Sequence, residues 1–316
     1  MDNIGRLKSY LLDIYPVRRS AQQKAAFRKW LLSELKKAGW KAHEETCGKW
    51  NGSVNVIAGD PEQAAVFLCA HYDTGSRMPV PDFVSPTNVL AHVIYHLTVA
   101  LVLILLIFGV SLAVCFPLNQ PGLMLPLFLI LALFALWVCA YGPANKCNAN
   151  SSTSGVLALL CTAWAVGGNK RICFVFFDNN GKNMLGASGF RKKHPNSNNV
   201  PVLYFDCVGD GENLLLIPSK YSRWDADLTQ ALEEAFPDSE QVHPKLLLKG
   251  LQYYPSDQRR FRFHVAVCAC HYLAGLGHYI PRLRTSRDTV LNEKNIAYIA
   301  GSTARFLPLY LEQVKE

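Results

Sequence analysis

A long stretch without charge constrains this 316-residue chain more than any other feature of its sequence. Between Phe83 and Asn145 there is no Asp, Glu, Lys or Arg, although such residues make up 18% of the whole. Within it, residues 89–116 and 122–141 each provide the roughly 20 apolar residues that a membrane-spanning helix needs, and proline, asparagine and glycine lie between them. Buried core helices are the alternative, but such helices seldom stay apolar on every face. The sequence therefore predicts a transmembrane helical hairpin over residues 83–145.

Two crossings leave the flanking segments, 1–82 and 146–316, on the same side of the membrane. We therefore expect them to fold together as one discontinuous domain. The first residues lack the pattern of a cleavable signal peptide, and Lys and Arg lie outside the hairpin, which favours the cytoplasmic side. Ten cysteines are scattered through the sequence, several in apolar segments, as expected for reduced core residues. The sequence predicts an integral membrane protein with a cytoplasmic soluble domain.

The net charge of +8 does not indicate nucleic-acid binding, because the basic residues are dispersed and no nucleic-acid module is recognisable. Attraction to an anionic membrane surface is the better explanation. The most basic element is a predicted helix at 20–37, with Ser20 and Gln23 spaced as a capping box. We expect it to pack on the domain with Lys24, Arg28 and Lys36 in solvent; a helix lying on the bilayer is the alternative.

Apolar strand-like segments alternate with helical ones through the rest of the chain. The predicted strands are 53–59, 64–75, 171–181, 200–211, 214–218 and 263–273, and the later helices are 152–166, 224–236 and 293–314. This alternation predicts the α/β class, with a mixed, mainly parallel sheet flanked by helices.

Several predicted strands end in polar residues. They are His71 and Asp73, Asp178 to Asn180, and Asp206, and the loop 277–289 adds further charged side chains. Open α/β sheets bind ligands beyond the carboxyl ends of their strands, so these residues are the candidate site.

Five ordered motifs carry a family resemblance: "AHYDTG" (70–75), "SSTSG" (151–155), "NGKNMLGAS" (180–188), "YFDCVGDG" (204–211) and "RTSRDT" (284–289). In this order they resemble the di-zinc aminopeptidases of clan MH, metallopeptidase family 28. The resemblance covers essentially the whole soluble part and implies a zinc-exopeptidase-like fold. The hairpin has no counterpart in the soluble members.

The resemblance also implies which positions would hold metal. In that family two zinc ions are held by a His, a bridging Asp, a Glu, a later Asp and a final His, beside a glutamate that is the general base. At the five ligand positions, in the same order, this chain has His71, Ser151, Gly181, Asp206 and Arg284. The position of the general base is occupied by Asn180. Only His71 and Asp206 retain the family's ligands, and Asp73 of the first motif is also kept.

The substituted residues cannot perform the chemistry of the residues they replace. A serine hydroxyl is neutral at pH 7, and glycine offers no side chain. A guanidinium stays protonated and has no lone pair for a metal, and an asparagine amide is no base near neutral pH. We therefore expect no cofactor and no catalytic residue, and we expect Arg284 to replace the missing cation beside Asp206 and Asp73.

The sequence leaves other functions open. An active membrane-bound aminopeptidase with an altered or single-metal site would still need zinc, and a relocated metal would recruit Cys207, Asp178, His271 or His278. A structural subunit of a membrane complex is a third possibility, and whether the chain is an enzyme stays undecided. Without metal, His71 is a buried histidine bonded to Asp73. The expected partners are the lipid bilayer and, as further candidates, other membrane proteins or a peptide in the cleft.

Overall fold

One sheet of nine strands organises the computed structural model, which describes residues 2–48 and 52–314. The strands are β1 (Ala42–Cys47), β2 (Ser53–Ala58), β3 (Val66–His71), β4 (Ile172–Phe177), β5 (Val202–Phe205), β6 (Asn213–Pro218), β7 (His243–Leu246), β8 (His264–Leu273) and β9 (Gly277–Tyr279).

The sheet is mixed, with a parallel centre. Its order is β1-β2-β4-β3-β5-β8-β6-β7, and β9 pairs with β8. Strands β4, β3, β5 and β8 run parallel, whereas β1, β2 and β6 join their neighbours β2, β4 and β8 in antiparallel pairs. The predicted fold class is confirmed. Because β3 precedes the apolar segment and pairs with β4 and β5, which follow it, both flanking segments contribute to the same sheet.

Eight helices accompany the sheet within the described residues. They are α1 (Asp2–Ser9), α2 (Ala21–Lys37), α3 (Val89–Cys115), α4 (Met124–Tyr141), α5 (Ser154–Val166), α6 (Leu185–Lys193), α7 (Ala226–Ala235) and α8 (Glu293–Gln313).

Both faces of the central strands are covered. In β3, Leu68 and Ala70 pack into the core shared with α2, α5, α7 and α8, while Phe67 and Cys69 pack with Phe190 of α6 on the other face. Successive side chains of a strand point to opposite faces, so a strand covered on both sides reads as a continuous apolar run. The strand ends are consequently the places where polar side chains gather.

Helix α2 begins as predicted, but its basic residues are placed differently. The Ser20 hydroxyl accepts from the Gln23 amide, and the Gln23 side chain accepts from the Ser20 amide. Lys24 and Arg28 were expected in solvent, and this is wrong. Lys24 Nζ lies 2.5 Å from Asp178 Oδ1, and Arg28 Nε lies 3.1 Å from Glu44 Oε1, both largely buried. Burial of a charge requires such a partner.

Helices α3 and α4 form an antiparallel pair that projects from the α/β part. Their apolar windows have mean hydropathies of 3.0 and 2.7, yet only 11% and 0% of those residues are buried. A core helix of a soluble protein would be mostly buried, so these helices are not part of the core. The interior of the pair includes Ser111 and Cys115, which are buried. Both helices are long and apolar enough to cross a membrane.

Candidate functional site

A cleft opens at the carboxyl ends of β3, β4 and β5, and we call it the site cleft. Its lining includes seven of the residues that the sequence predicted for the site: His71, Asp73, Ser151, Asn180, Gly181, Asp206 and Arg284. Parallel strands bring their carboxyl ends to one edge, which is why residues from distant segments meet there.

His71, the last residue of β3, is held on both ring nitrogens. Its Nδ1 lies 3.2 Å from the Asp73 carbonyl oxygen, and its Nε2 lies 3.1 Å from the Ser151 carbonyl oxygen. Carboxylate oxygens of Asp73 and Asp206 lie at 3.4 and 3.6 Å from the same two nitrogens. Carbonyl oxygens only accept hydrogen bonds, so a ring protonated on both nitrogens satisfies all of these contacts. Such an imidazolium has no lone pair for a metal.

The pKa values in the site cleft agree with this protonation. Burial alone would lower the pKa of His71, but its hydrogen bonds to Asp206 and Asp73 outweigh burial and raise that pKa well above the usual value. Burial would raise the pKa of Asp73, but its hydrogen bond with His71 outweighs burial and lowers that pKa. The histidine and the aspartate thus stabilise each other's charged form.

Ser256 joins the two sides of the site cleft. Its hydroxyl lies 2.8 Å from Asp206 Oδ2 and accepts a hydrogen bond from Asn180 Nδ2 at 3.1 Å. The Asn180 backbone amide donates to Asp73 Oδ1 at 3.0 Å. The base position is thus occupied by an amide that donates within a closed network. Ser256 was missed as a site residue; the polar run "YPSDQRRF" was its only signal.

The Ser151 carbonyl reaches His71 because of a π-helical turn, Ala149–Thr153, which precedes α5. Asp288 holds this turn by accepting hydrogen bonds from the backbone amides of Asn150 and Ser151 at 2.8 and 3.2 Å. Asp288 therefore stabilises the turn that precedes α5.

Arg18 also fixes this turn, and nothing in the sequence singled it out. Its guanidinium is fully buried and donates to the carbonyl oxygens of Tyr72 and Ser152 at 2.6 and 2.9 Å and to Thr153 Oγ1 at 3.0 Å. Burial lowers the pKa of Arg18 to about 10. The side chain thereby ties the end of β3 to the start of α5.

Arg284 does not replace the missing metal beside Asp73 and Asp206, and that prediction is wrong. Among the described residues its ion pair is with Asp82, at 3.8 Å, and its Nη2 donates to Ser76 Oγ at 3.0 Å. The backbone at Arg284 is left-handed, with φ of 60°, and the guanidinium lies over Gly75. His71 already supplies the positive charge between the carboxylates. A partly exposed pair such as Arg284 with Asp82 contributes at most about 1 kcal/mol to stability.

Two further expectations concern β4. Asp178 was expected to face the metal pocket, but its carboxylate accepts from Lys24 of α2 and from the Val54 amide at 3.1 Å, away from the site cleft. Gly181 lies on the cleft wall, and a Cβ built there meets no described atom within 4 Å. A Cβ at this position would therefore meet no steric hindrance from the described residues.

The site cleft lies beside the ends of the apolar helices. The Ser76 hydroxyl, which accepts from Arg284, donates to the Cys139 carbonyl in the last turn of α4. Arg19 donates to the carbonyl oxygens of Ala140 and Gly142 at the same end. The segments between the strands and the hairpin are short, which keeps the site cleft close to these helix ends.

The model of peptidase family M28 matches residues 141–294. Over these residues the chain is similar to peptidase family M28. No curated protein sequence matches it. The matched residues include four of the five motifs, and the first motif, at the end of β3, lies before them.

Solved structures of similar fold cover nearly the whole chain. The Legionella pneumophila LapA aminopeptidase has 13% sequence identity and a TM-score of 0.61, covering 99% of this chain and 70% of its own. A Zn-dependent exopeptidase from Parabacteroides distasonis has 17% identity and a TM-score of 0.58, with 97% of each chain covered. The Porphyromonas gingivalis glutaminyl cyclase has 15% identity and a TM-score of 0.56, covering 98% of this chain and 96% of its own. At such identities the likeness shows the fold.

The donor atoms present do not fit the zinc that this M28 relationship suggests. Within residues 2–48 and 52–314 no three His, Cys, Asp or Glu side chains are grouped to hold a metal ion. The residues considered for a relocated metal have other neighbours. Cys207 Sγ donates to Asp206 at 3.4 Å, His271 Nε2 lies 2.9 Å from Asp210, and His278 Nδ1 lies 3.3 Å from Thr87 Oγ1.

Proposed function

We propose that this chain is a membrane-anchored pseudo-peptidase. Its M28-like part is carried on a transmembrane hairpin, and its cleft binds a ligand or assembles with a partner without hydrolysing a peptide. The single observation that carries the proposal is the position of His71, whose two ring nitrogens both face carbonyl oxygens. A histidine that donates from both ring nitrogens has no lone pair with which to coordinate a metal.

The loss of catalysis is further supported at the position of the general base. Asn180 donates from its side chain to Ser256 and from its backbone to Asp73. An amide cannot accept the proton that a water nucleophile must release. At the bridging position, Ser151 contributes its carbonyl oxygen to His71 and no carboxylate.

Membrane anchoring is supported by the exposure of α3 and α4, which show their apolar side chains on all sides. Transfer of such surface from water to hydrocarbon is strongly favourable. The basic residues near the hairpin, such as Arg19 and Arg77, favour the cytoplasmic side for the M28-like part.

The alternative is an active aminopeptidase with one metal, favoured by the family match and by the two retained ligands, His71 and Asp206. The deciding experiment measures zinc in the purified full-length protein together with hydrolysis of a panel of aminoacyl substrates. A variant with Ser151→Asp, Gly181→Glu and Arg284→His, which restores the family's ligands, is the matched comparison. We expect zinc well below one ion per chain and no hydrolysis in the native sequence. Tightly bound zinc that is lost in His71→Ala would support the active enzyme.

A further inference from the structure

A second cavity lies outside the site cleft and is lined by cations without acidic partners. It is formed by the segment after β6, the loop 247–256 and the start of β8, and we call it the cationic pocket. Its polar lining includes Lys220, Arg223, Gln252, Tyr253, Arg259 and His264.

Three side chains give the cationic pocket its charge. Lys220, Arg223 and Arg259 have no carboxylate within 4.0 Å among the residues that the structure describes. Arg223 donates to Gln252 Oε1 at 3.0 Å, while its buried Nε has no partner in the described part. Arg259 donates to Tyr253 OH at 3.0 Å. Guanidinium groups fixed by neutral neighbours remain free to bind an anion, and phosphate fits their geometry.

The cationic pocket adjoins the first turns of α3. Tyr253 lines the pocket, and its backbone amide donates a hydrogen bond to the Pro86 carbonyl oxygen at 3.0 Å. The ring of Tyr253 lies 5.3 Å from the ring of His92 on α3. The same tyrosine borders a groove along Val89, Val93 and Leu97. The pocket therefore opens where the chain enters the apolar hairpin.

The lengths of the two helices place this region at the level of lipid headgroups. Helix α3 has 27 residues, or about 40 Å at 1.5 Å per residue. Helix α4 with its first turn, Pro121–Tyr141, has 21 residues, or about 32 Å. A hydrocarbon core is roughly 30 Å thick. Because the helices share one tip, the excess of α3 extends past the core on the side of the sheet, where His92, Tyr95 and His96 lie.

Two exposed apolar side chains lie beside the cationic pocket. Leu251, which lines it, is exposed by 77%, and Trp224, which follows Arg223 in the chain, is exposed by 85%. Aromatic and leucine side chains beside cations are typical of surfaces that lie in the membrane interface.

We propose that the cationic pocket binds the phosphate of an anionic membrane lipid, with Lys220, Arg223 and Arg259 as its ligands. The proposal rests on the membrane-anchored function and adds a lipid site to it. The flanking Trp224 and Leu251 enter the interface, while the three cations hold the headgroup against the first turns of α3. A soluble phosphate has the same chemistry, and the experiment distinguishes it from a lipid.

The experiment counts lipids bound to the full-length protein by native mass spectrometry in detergent, with phosphatidylglycerol and phosphatidylcholine as the probes. The test variant is Lys220→Gln with Arg223→Gln and Arg259→Gln. The matched control, Lys29→Gln with Lys41→Gln and Lys170→Gln, removes the same charge from exposed sites elsewhere. Each cation near an anionic surface contributes about fivefold, so the test variant should lose on the order of 100-fold in affinity for phosphatidylglycerol. The control should keep its affinity.

Three outcomes would overturn the lipid site. The first is equal binding of the two lipids, the second is an unchanged preference in the test variant, and the third is displacement of the lipid by inorganic phosphate as effectively as by phosphatidylglycerol. The single variant Lys220→Gln, at an exposed side chain, should show a loss of about fivefold without a change in melting temperature, which guards against misfolding. Retention in the membrane fraction after alkaline extraction tests the anchoring separately, so failure of the lipid site and failure of the proposed function give different results.

Discussion

At the residue scale, His71 occupies the place between the carboxylates where the sequence analysis expected the positive charge of Arg284. Carboxylates gathered without a counter-charge raise one another's pKa, so the site cleft needs a cation once the metal ligands are gone. An imidazolium between Asp73 and Asp206 meets that need with a side chain already present. The sequence analysis assigned this charge to Arg284, and the left-handed turn at Arg284 could not be predicted from residue types.

Changing Arg284 to histidine restores one ligand of the family pattern and should change little else. We expect Arg284→His to bind no stoichiometric zinc and to hydrolyse no aminoacyl substrate, since Ser151 and Gly181 still provide no carboxylate. Zinc analysis after dialysis checks this, with the native chain as reference. One firmly held zinc per chain in this variant would contradict the account.

Arg18 should be among the residues on which stability depends most. Arg18→Met removes the donors to the buried carbonyl oxygens of Tyr72 and Ser152, and each unsatisfied buried group costs about 1 to 3 kcal/mol. We expect a loss of about 3 to 5 kcal/mol in the free energy of unfolding, measured by denaturant titration in detergent. Arg287→Met, at an exposed position, is the control and should lose less than about 0.5 kcal/mol. Equal losses would show that the buried contacts of Arg18 contribute little.

Asp257 should give the protein a stability that falls as pH rises. Burial raises the pKa of Asp257 to about 7, and within the described residues only one of its oxygens accepts a hydrogen bond, from Tyr204 OH at 3.1 Å. The folded chain keeps this proton up to the raised pKa, whereas the unfolded chain releases it near pH 4. The contribution is therefore fully present below pH 4 and is lost as pH rises through about 7. Its size is roughly 4 kcal/mol at most.

Asp257→Asn removes this titration while retaining an acceptor for Tyr204. We expect the melting temperature of the variant, relative to the native chain, to rise between pH 5 and pH 8, and we expect Asp238→Asn, at a fully exposed carboxyl group, to show no such trend. A difference that stays constant with pH would mean that Asp257 is not protonated in the folded state.

At the scale of elements, segments defined by their own composition were predicted well. The expected apolar helices at 89–116 and 122–141 are Val89–Cys115 and Met124–Tyr141, because no Asp, Glu, Lys or Arg interrupts them. Helix α2 was predicted in its bounds and its cap, but not in its partners. Lys24 pairs with a residue 154 positions away, and a contact of that range cannot be read from periodicity.

The hairpin should be separable from the sheet, since β3 and β4 pair without it. We expect a chain in which a flexible linker of about six residues replaces 89–141 to become soluble and to keep its helix and strand content by circular dichroism. Six extended residues span about 20 Å, enough to join the ends of adjacent helices, which pack 8–10 Å apart. The same linker placed at 117–120 keeps both helices, and this control should remain in the membrane fraction. A linked chain that aggregates or unfolds would show that the hairpin belongs to the core.

For the whole molecule, the order of five motifs predicted the fold and the set of residues that meet in the site cleft. The positions of residues at strand ends, such as His71 and Asp206, can be predicted reliably. The parallel sheet brings these residues together whether or not they still bind metal. Directions of side chains were less predictable. Asp178 points toward Lys24, and Arg18 is buried under the turn at Ser151, because both depend on contacts between distant segments.

The protonation of His71 tests the central claim most directly. In full-length protein labelled with ¹⁵N-histidine, two-dimensional NMR reports whether each ring nitrogen carries a proton, and His71→Gln identifies the signals. We expect both nitrogens of His71 to stay protonated at pH 7.5 and to remain so when zinc is added, because they donate to Asp73 and Ser151. A neutral ring at that pH, or a nitrogen that loses its proton to bound zinc, would contradict the account.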